Sequence, residues 1–185
     1  MALVDTPICN FGWQAPEFEL PDTEGKLHKF KDMMGERGVL VAFICNHCPY
    51  VHAIIDRLVI DAKTLQEEGI NVVAIMSNDY QNYPEDAPDK MKIFASKHDF
   101  SFPYLLDKDQ SVGRAYQAVC TPDFFGFNNC GELQYRGRLD NICQGSDVTG
   151  NRQAELIEAM RLVVSTGKGP TDQKPSMGCS IKWKN

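Results

Sequence analysis

Two apolar runs constrain the fold more than any other feature of the sequence. The segments "GVLVAFIC" (38–45) and "INVVAIM" (70–76) are continuous and rich in Val and Ile, a pattern typical of parallel strands that are buried on both faces. Between them, apolar residues recur at three- and four-residue steps, as on one face of a helix, and Gly69 follows where that helix would end. The sequence therefore predicts a βαβ unit, whose crossover should be right-handed.

The rest of the chain alternates between helical and strand-like patterns. We expect a helix from Pro88 to about Asp99, a strand at 101–107, a helix at 109–119 and a closing helix at about 152–165. Between the last two helices, residues 124–139 predict an antiparallel hairpin with an Asn- and Gly-containing turn. Asn78 and Asp79, which follow the second apolar run, are expected to cap their loop.

A parallel βαβ unit followed by an antiparallel hairpin and a helix predicts an α/β sandwich of thioredoxin type. Its central mixed sheet should have helices on both faces. We expect a leader at 1–11, a single domain at 12–166 and a tail at 167–185. Because the tail has two prolines, three glycines and no periodicity, it should be irregular and wrap over the surface of the domain.

The net charge and the number of cysteines argue against several classes of function. A net charge of −6 argues against a nucleic-acid partner or an anionic membrane, since both attract basic patches. The first residues lack a secretory pattern, and no stretch is long and apolar enough to span a bilayer. Seven cysteines cannot all pair within one chain, which favours reduced thiols and a cytoplasmic protein. Small molecules or other proteins are the expected partners.

Two cysteines separated by two residues follow the first apolar run, in "FICNHCPYVH" (43–52). Cys45 is predicted at the carboxyl end of the strand and Cys48 in the first turn of the helix, at the edge of the sheet where sites collect. A thiol at a helix N-terminus has a lowered pKa, because the N–H groups and the helix dipole favour its thiolate. A protonated His47 would stabilise that thiolate further.

This pair has alternatives to redox chemistry. A Cys-x-x-Cys pair is also half of a zinc site, for which His47, His52 and Cys120 are the candidates for the missing ligands, but no second such pair exists. A structural disulfide across so short a loop would constrain the unfolded chain little. We therefore expect a redox or peroxidatic pair, with neither a metal nor a cofactor.

A second element, "CTPDFF" (120–125), places Thr121 and Pro122 directly before a predicted strand. The ordinary interpretation is a proline that opens an edge strand. In a thioredoxin-type arrangement, however, this loop faces the cysteines. We predict that the Thr121–Pro122 bond is cis, and that the backbone of Thr121 is free to pair with an extended thiol substrate.

With "ICNHCPYV", "TPDFF" and "YRGRLD" in this order, the chain resembles the thioredoxin-like superfamily. More narrowly, it resembles a peroxiredoxin-like subgroup of the alkyl hydroperoxide reductase and thiol-specific antioxidant type. The likeness begins at about Gly12, where "APEFELPDTEGK" looks like an N-terminal hairpin extension, and it includes the tail "KPSMGCSIKWK". The resemblance implies thiol-disulfide exchange, with Cys45 attacking, Cys48 resolving and Pro122 as the cis proline.

The sequence departs from the motifs of both thioredoxins and peroxiredoxins. Thioredoxins carry a buried acid six residues before the first cysteine, and Val39 stands there. Peroxiredoxins have a threonine three residues before the peroxidatic Cys-Pro, where this chain has Cys45, and an arginine about where it has Pro122. These changes favour disulfide exchange with protein or small-molecule thiols and disulfides, served by an electron donor that the sequence does not identify. Reduction of hydroperoxides is the alternative.

The other cysteines differ in their positions. Cys120 lies two residues before the predicted cis proline and is either close to the active pair or a small buried hydrophobic residue. Cys179, in the tail, is a candidate additional resolving thiol. Cys9, Cys130 and Cys143 receive no predicted role.

Peptide mass mapping of the oxidised protein should therefore find the Cys45–Cys48 disulfide as the dominant bridge. A non-enzymatic zinc-holding or thiol-mediated interaction module would instead carry stoichiometric zinc after purification and show no turnover, so a metal assay separates the two. A major bridge between other cysteines would contradict the redox assignment.

Overall fold

The computed structural model describes residues 3–142 and 151–184. The strands are β1 (Leu3–Asp5), β2 (Glu19–Pro21), β3 (Leu27–Lys29), β4 (Gly38–Phe43), β5 (Ile70–Met76), β6 (Tyr104–Leu106), β7 (Cys120–Thr121), β8 (Asp123–Asn128), β9 (Leu133–Tyr135) and β10 (Met177–Ser180). The helices are α1 (Phe30–Met33), α2 (Pro49–Glu67), α3 (Pro88–Lys97), α4 (Ser111–Ala115) and α5 (Glu155–Thr166), with a 3-10 turn at Pro84–Asp86. None of these helices is long and apolar enough to cross a membrane.

The central sheet has the strand order β6-β5-β4-β8-β9. Strands β4, β5 and β6 are parallel, β8 pairs antiparallel with β4, and β9 pairs antiparallel with β8. The predicted βαβ unit is confirmed as β4-α2-β5, and Gly69 follows α2 with a φ of +82°. The predicted hairpin is β8-β9, and the N-terminal extension is the β2-β3 hairpin. The fold is a mixed α/β fold of thioredoxin-like type, as predicted.

Strand β4 is buried on both faces, which explains its continuous apolar run. Alternate residues enter two separate cores, because successive side chains of a strand point to opposite faces. Leu40 and Ala42 pack in the core that includes α2, α3 and α5. Val39 and Val41 pack in the second core, which the N-terminal hairpin, α1 and α4 close.

Two predicted elements are shorter than their sequence patterns suggest. The strand at 101–107 is reduced to β6, and the helix at 109–119 is reduced to α4. The backbone explains the second difference, because Gln110 and Gln117 have φ values of +66° and +52°. These left-handed conformations do not belong to a right-handed helix. The helix α4 therefore begins after Gln110 and ends before Gln117.

The tail contains a strand that the sequence did not predict. Strand β10 pairs antiparallel with β1 from the leader and with β7. The expectation of an irregular tail is therefore wrong for Met177–Ser180, which is too short to show periodicity and pairs with partners far away in sequence. Part of the tail lies against the rest of the chain, since Cys179 and Ile181 are buried.

Gly178 permits this close approach of the tail. A Cβ atom at this position would lie 2.0 Å from the Thr121 carbonyl oxygen and 3.1 Å from the Pro122 nitrogen. Both obstacles are backbone atoms, which cannot move aside as a flexible side chain would. The tail strand and the Thr121–Pro122 loop are consequently in backbone contact.

We expect Gly178→Ala to push β10 away from β7 and to destabilise the protein by about 1–3 kcal/mol, the usual effect of overpacking. Hydrogen exchange of the amides at 177–181 should become faster. Met177→Ala is the matched control, because Met177 lies in the same strand with an exposed side chain. Unchanged tail exchange in Gly178→Ala would contradict this description of the contact.

Candidate active site

Cys45 and Cys48 lie in the connection between β4 and α2. Both are free thiols and both are buried. The Ile44 N–H donates a hydrogen bond of 3.0 Å to the Ile75 carbonyl, which extends the pairing of β4 with β5 by one residue. Cys45 is thus the first residue beyond the paired strand, as its predicted place at the strand end implies.

Cys48 is the N-cap residue of α2, one position before the helical turn in which it was predicted. Pro49 occupies the first helical position, where its missing N–H has no intrahelical partner to lose. The Cys48 carbonyl accepts the His52 N–H at 3.0 Å. The Cys48 sulfur therefore lies at the end of the helix where unpaired N–H groups favour negative charge.

Thr121 contacts both sulfurs. Its Oγ1 atom lies 3.3 Å from Cys45 Sγ, and its carbonyl oxygen accepts a hydrogen bond of 3.1 Å from the Cys48 thiol. The Thr121–Pro122 peptide bond is cis, and the predictions of a cis bond and of a loop facing the cysteines are both confirmed. The backbone of Thr121 is not free, however, because it pairs with Cys179 in β10. The prediction of an open edge at Thr121 is therefore wrong in this conformation.

The two residues between the cysteines are held by one buried carboxylate, Asp86. Its Oδ1 atom accepts the Asn46 N–H at 2.8 Å, and its Oδ2 atom lies 2.7 Å from His47 Nδ1. The Asn78 side-chain amide donates a further bond of 2.9 Å to Oδ2. The His47 ring also stacks on Tyr83, with ring centroids 5.7 Å apart. The Asn46–His47 segment is thus fixed from the loop that follows β5.

Asp86 and the role of Asn78 were missed by the sequence analysis. Val39, which stands where thioredoxins have a buried acid, is fully buried in the apolar core. Asp86 supplies a buried carboxylate from a different part of the chain. It lies in a polar loop with no periodicity, so no sequence pattern distinguishes it from neighbouring acids. Asn78, expected only to cap its loop, bonds to Asp86 and accepts the Lys182 N–H at 2.9 Å.

Within residues 3–142 and 151–184, one group of three side chains could offer metal ligands close together. Ligand atoms of Cys45, His47 and Asp86 lie within 4.8 Å of one another. His52 and Cys120, the other candidates from the sequence, do not join this group. A structural zinc site takes four ligands, and His47 and Asp86 already bond to each other. The arrangement fits a histidine that is held in place by Asp86 better than a metal site with four protein ligands.

The hydrogen bond with Asp86 raises the pKa of His47, which favours the imidazolium form. The positive charge of that form lies against the Asp86 carboxylate, 2.7 Å away. Asp86 therefore opposes the effect of the charge with which His47 was expected to stabilise a thiolate. His47 and Asp86 act as an ion pair beside the two cysteines.

The two thiols differ in their proton affinity. A hydrogen bond from the Cys45 thiol is the largest cause that lowers the pKa of Cys48 to about 4, against the opposing effect of burial. Further hydrogen bonds come from the Thr121 side chain and from the backbone N–H groups of Val51 and Cys179. The Thr121 carbonyl favours the protonated form instead. On balance these interactions lower the pKa of Cys48 and favour its thiolate.

Cys45 is the protonated partner. Its hydrogen bond with Cys48, its burial and the negative charge of Asp86 raise its pKa well above the usual value. The resemblance to thioredoxins assigned the attacking role to Cys45. The electrostatic environment gives the ionised sulfur, and with it the nucleophilic character, to Cys48.

The remaining cysteines differ in their burial and in their position relative to Cys45 and Cys48. Cys120 is buried, its thiol lies 3.5 Å from the Pro122 carbonyl oxygen, and burial raises its pKa. Since it precedes Thr121 in β7, its side chain points to the opposite face, which favours the small buried hydrophobic residue over a role in the pair. Cys179 lies opposite Thr121. Cys130 is exposed and Cys9 is partly buried. Cys143 lies outside the described residues.

Similarity to known proteins agrees with this geometry. The model of the AhpC/TSA family matches residues 11–136. The chain is 26% identical over 129 residues to the thiol-disulfide oxidoreductase ResA of Halalkalibacterium halodurans, with 70% of this chain and 69% of the relative covered. It is 24% identical over 123 residues to the thioredoxin-like protein YneN of Bacillus subtilis, with 66% and 68% covered. The matches thus span about two thirds of these relatives.

Two solved structures resemble the whole chain. An uncharacterized conserved protein from Geobacillus kaustophilus superposes with a TM-score of 0.90 at 38% identity, over 100% of this chain and 97% of the other. A hypothetical protein from Sinorhizobium meliloti 1021 gives a TM-score of 0.90 at 39% identity, over 97% of each chain. The thioredoxin domain of a thiol-disulfide oxidoreductase from Bacteroides vulgatus shares the fold at 16% identity, with a TM-score of 0.64 over 83% of this chain and 97% of that domain.

The lowered pKa of Cys48 predicts one thiolate in the reduced protein near neutral pH. Because the ionised form exists above the pKa, the ultraviolet absorbance of the thiolate should persist at neutral pH and disappear on acidification towards about pH 4. Cys48→Ser should lose this signal. In Cys45→Ala the midpoint should rise, since Cys48 loses its main donor. Cys130→Ser is the control. A signal that survives in Cys48→Ser and vanishes in Cys45→Ser would place the thiolate on Cys45.

Proposed function

The chain belongs to the AhpC/TSA family, and from this membership together with the geometry of its two thiols we propose that it is a thiol-disulfide oxidoreductase. Cys45 and Cys48 alternate between a dithiol and a redox-active disulfide. The observation that carries the proposal is the arrangement around Thr121, which contacts both sulfurs beside a cis proline. The relatives named as thiol-disulfide oxidoreductases support it.

The first step follows from the position of the negative charge. The Cys48 thiolate attacks one sulfur of a substrate disulfide, the substrate S–S bond breaks, and the departing thiolate takes up a proton. Cys48 is then joined to the other half of the substrate and carries no charge. The substrates are thiols and disulfides, and we propose that both small molecules and proteins qualify.

Cys45 completes the reaction. It loses its proton, attacks the Cys48 sulfur and releases the second half of the substrate as a thiol, which leaves the Cys45–Cys48 disulfide. The Asp86 carboxylate is placed to receive the Cys45 proton, since one of its oxygens lies within 4.8 Å of Cys45 Sγ. The substrate gains two electrons and the pair loses two, so an external thiol donor must restore the dithiol.

Peroxide reduction is a second candidate, and the ionised Cys48 favours it. A Cys48 thiolate could attack a hydroperoxide, release the alcohol and become a sulfenic acid, with which Cys45 would condense and lose water. A peroxidase gains from a cation that stabilises charge in the transition state. Arg136, in the turn after β9, instead pairs at 3.0 Å with the buried Asp123. This favours disulfide exchange over peroxide reduction.

The cellular setting is part of the proposal. A reducing compartment such as the cytoplasm would keep the remaining thiols free and would supply thiol donors. The odd number of cysteines and the buried, unpaired Cys120 support this assignment.

Single-turnover experiments with a chromogenic aromatic disulfide test the proposal. Cys45→Ser should release the first chromogenic thiol rapidly, because Cys48 attacks, whereas Cys48→Ser should lose this phase by at least about 100-fold as the thiolate is removed. Cys130→Ser, which removes an exposed thiol, is the control for background reaction.

The same variants distinguish the two chemistries. Rapid consumption of one hydroperoxide by Cys45→Ser, with a sulfenic acid on Cys48, would establish the peroxidase instead. Rapid reaction of Cys48→Ser with the aromatic disulfide, and none of Cys45→Ser, would return the attacking role to Cys45.

A further inference from the structure

The tail strand occupies the place where an extended thiol substrate was expected. Strand β10 pairs antiparallel with β7, directly before the cis Thr121–Pro122 bond. The residue of β10 that lies opposite Thr121 is itself a cysteine, Cys179. The chain thus presents one of its own thiols at the edge that a substrate thiol would use.

The direction of the side chains brings this thiol to the active pair. Residues directly opposite in an antiparallel pair project from the same face of the sheet, with Cβ atoms about 4.5–5.5 Å apart. The Thr121 side chain on that face lies 3.3 Å from Cys45 Sγ. The Cys179 side chain therefore projects towards the sulfurs, and it packs in the same apolar cluster as Cys45 and Cys48.

We propose that Cys179 is a third redox thiol, which acts as an intramolecular substrate and forms an alternative disulfide with Cys48. This inference rests on the proposed function and deepens it. Cys48 is the central sulfur in this arrangement. It reacts with Cys45 on one side and with Cys179, delivered by the tail, on the other.

The exchange balances without an additional oxidant. Cys179 gives up its proton and its sulfur attacks Cys48, which is already joined to a second sulfur. The Cys48–Cys179 bond forms, the earlier bond breaks, and the leaving sulfur takes a proton. If the leaving sulfur is Cys45, the disulfide only changes partner. If it belongs to a substrate, the substrate leaves reduced and the two electrons come from Cys48 and Cys179.

The surroundings of Cys179 suit a resolving role better than an attacking one. Burial and the interaction with Cys48 raise its pKa to about 11, so it stays protonated near neutral pH while Cys48 is ionised. Gly178 keeps the strand in backbone contact with Thr121, which holds the thiol in place. A Cys48–Cys179 disulfide would lock the tail over the loop, and reduction would leave it held only by noncovalent contacts.

The test uses the full chain with Cys9, Cys130 and Cys143 replaced by serine, so that only four thiols remain. In this background Cys45→Ser should release two equivalents of chromogenic thiol from an aromatic disulfide, one on attack by Cys48 and one on resolution by Cys179. Peptide mass mapping should then find Cys48 linked to Cys179. The further change Cys120→Ser is the matched control and should alter neither result.

Adding Cys179→Ser to the Cys45→Ser variant should leave a single equivalent and a persistent aromatic adduct on Cys48. Cys179→Ala should give the same result without placing a hydroxyl group in this buried position. A stable adduct on Cys48 in Cys45→Ser alone, with Cys179 intact and no Cys48–Cys179 peptide, would overturn this inference and leave the proposed function standing. Failure of the first release in Cys45→Ser would overturn this inference and the attacking role of Cys48, and failure of the release with both Cys45 and Cys48 present would overturn the proposed function.

Discussion

The register between β4 and β8 determines where the chemistry of this protein can occur. Phe43, the last residue of β4, lies opposite Asp123, the first residue of β8. The residues just beyond these two ends are Cys45 on one side and the Thr121–Pro122 loop on the other, so they must meet at the same edge of the sheet. A shift of one residue would exchange the faces of every side chain in β8. Such a shift would bring Phe125 or Phe127 to the place of Gly126, where even a Cβ atom would lie 2.4 Å from Met160 Sδ and 3.0 Å from Tyr135 Cβ.

The features that were predicted from the sequence are those with a local pattern. The βαβ unit follows from two apolar runs and one helical period, and the β8-β9 hairpin follows from its turn residues. The strand β10 could not be found in this way, because it depends on the fit of Gly178 against the Thr121 carbonyl, a contact between distant parts of the chain. Asp86 was missed because a buried acid in an irregular loop has no period.

The order that we propose for the two thiols rests on local electrostatics and differs from the order that the resemblance implies. A Cys-x-x-Cys pair in a thioredoxin-like fold suggests that the first sulfur attacks. Here the first sulfur lies beside the Asp86 carboxylate, which disfavours its ionisation, and the second lies at the start of α2. The carboxylate comes from the loop after β5, so the sequence of the motif alone does not reveal the reversal.

The Asp86–His47 ion pair makes the site tolerant of a change in oxidation state. Asp86 bonds to Asn46, His47 and Asn78 without using either sulfur, so these bonds can persist when the dithiol becomes a disulfide. The contacts that must change are those of the two sulfurs with Thr121. Because Thr121 is also the residue with which β10 pairs, the proposed oxidation of the cysteines would change the contacts of the residue against which the tail strand lies. In the proposed cycle, the redox state of the pair would therefore be coupled to the position of the tail.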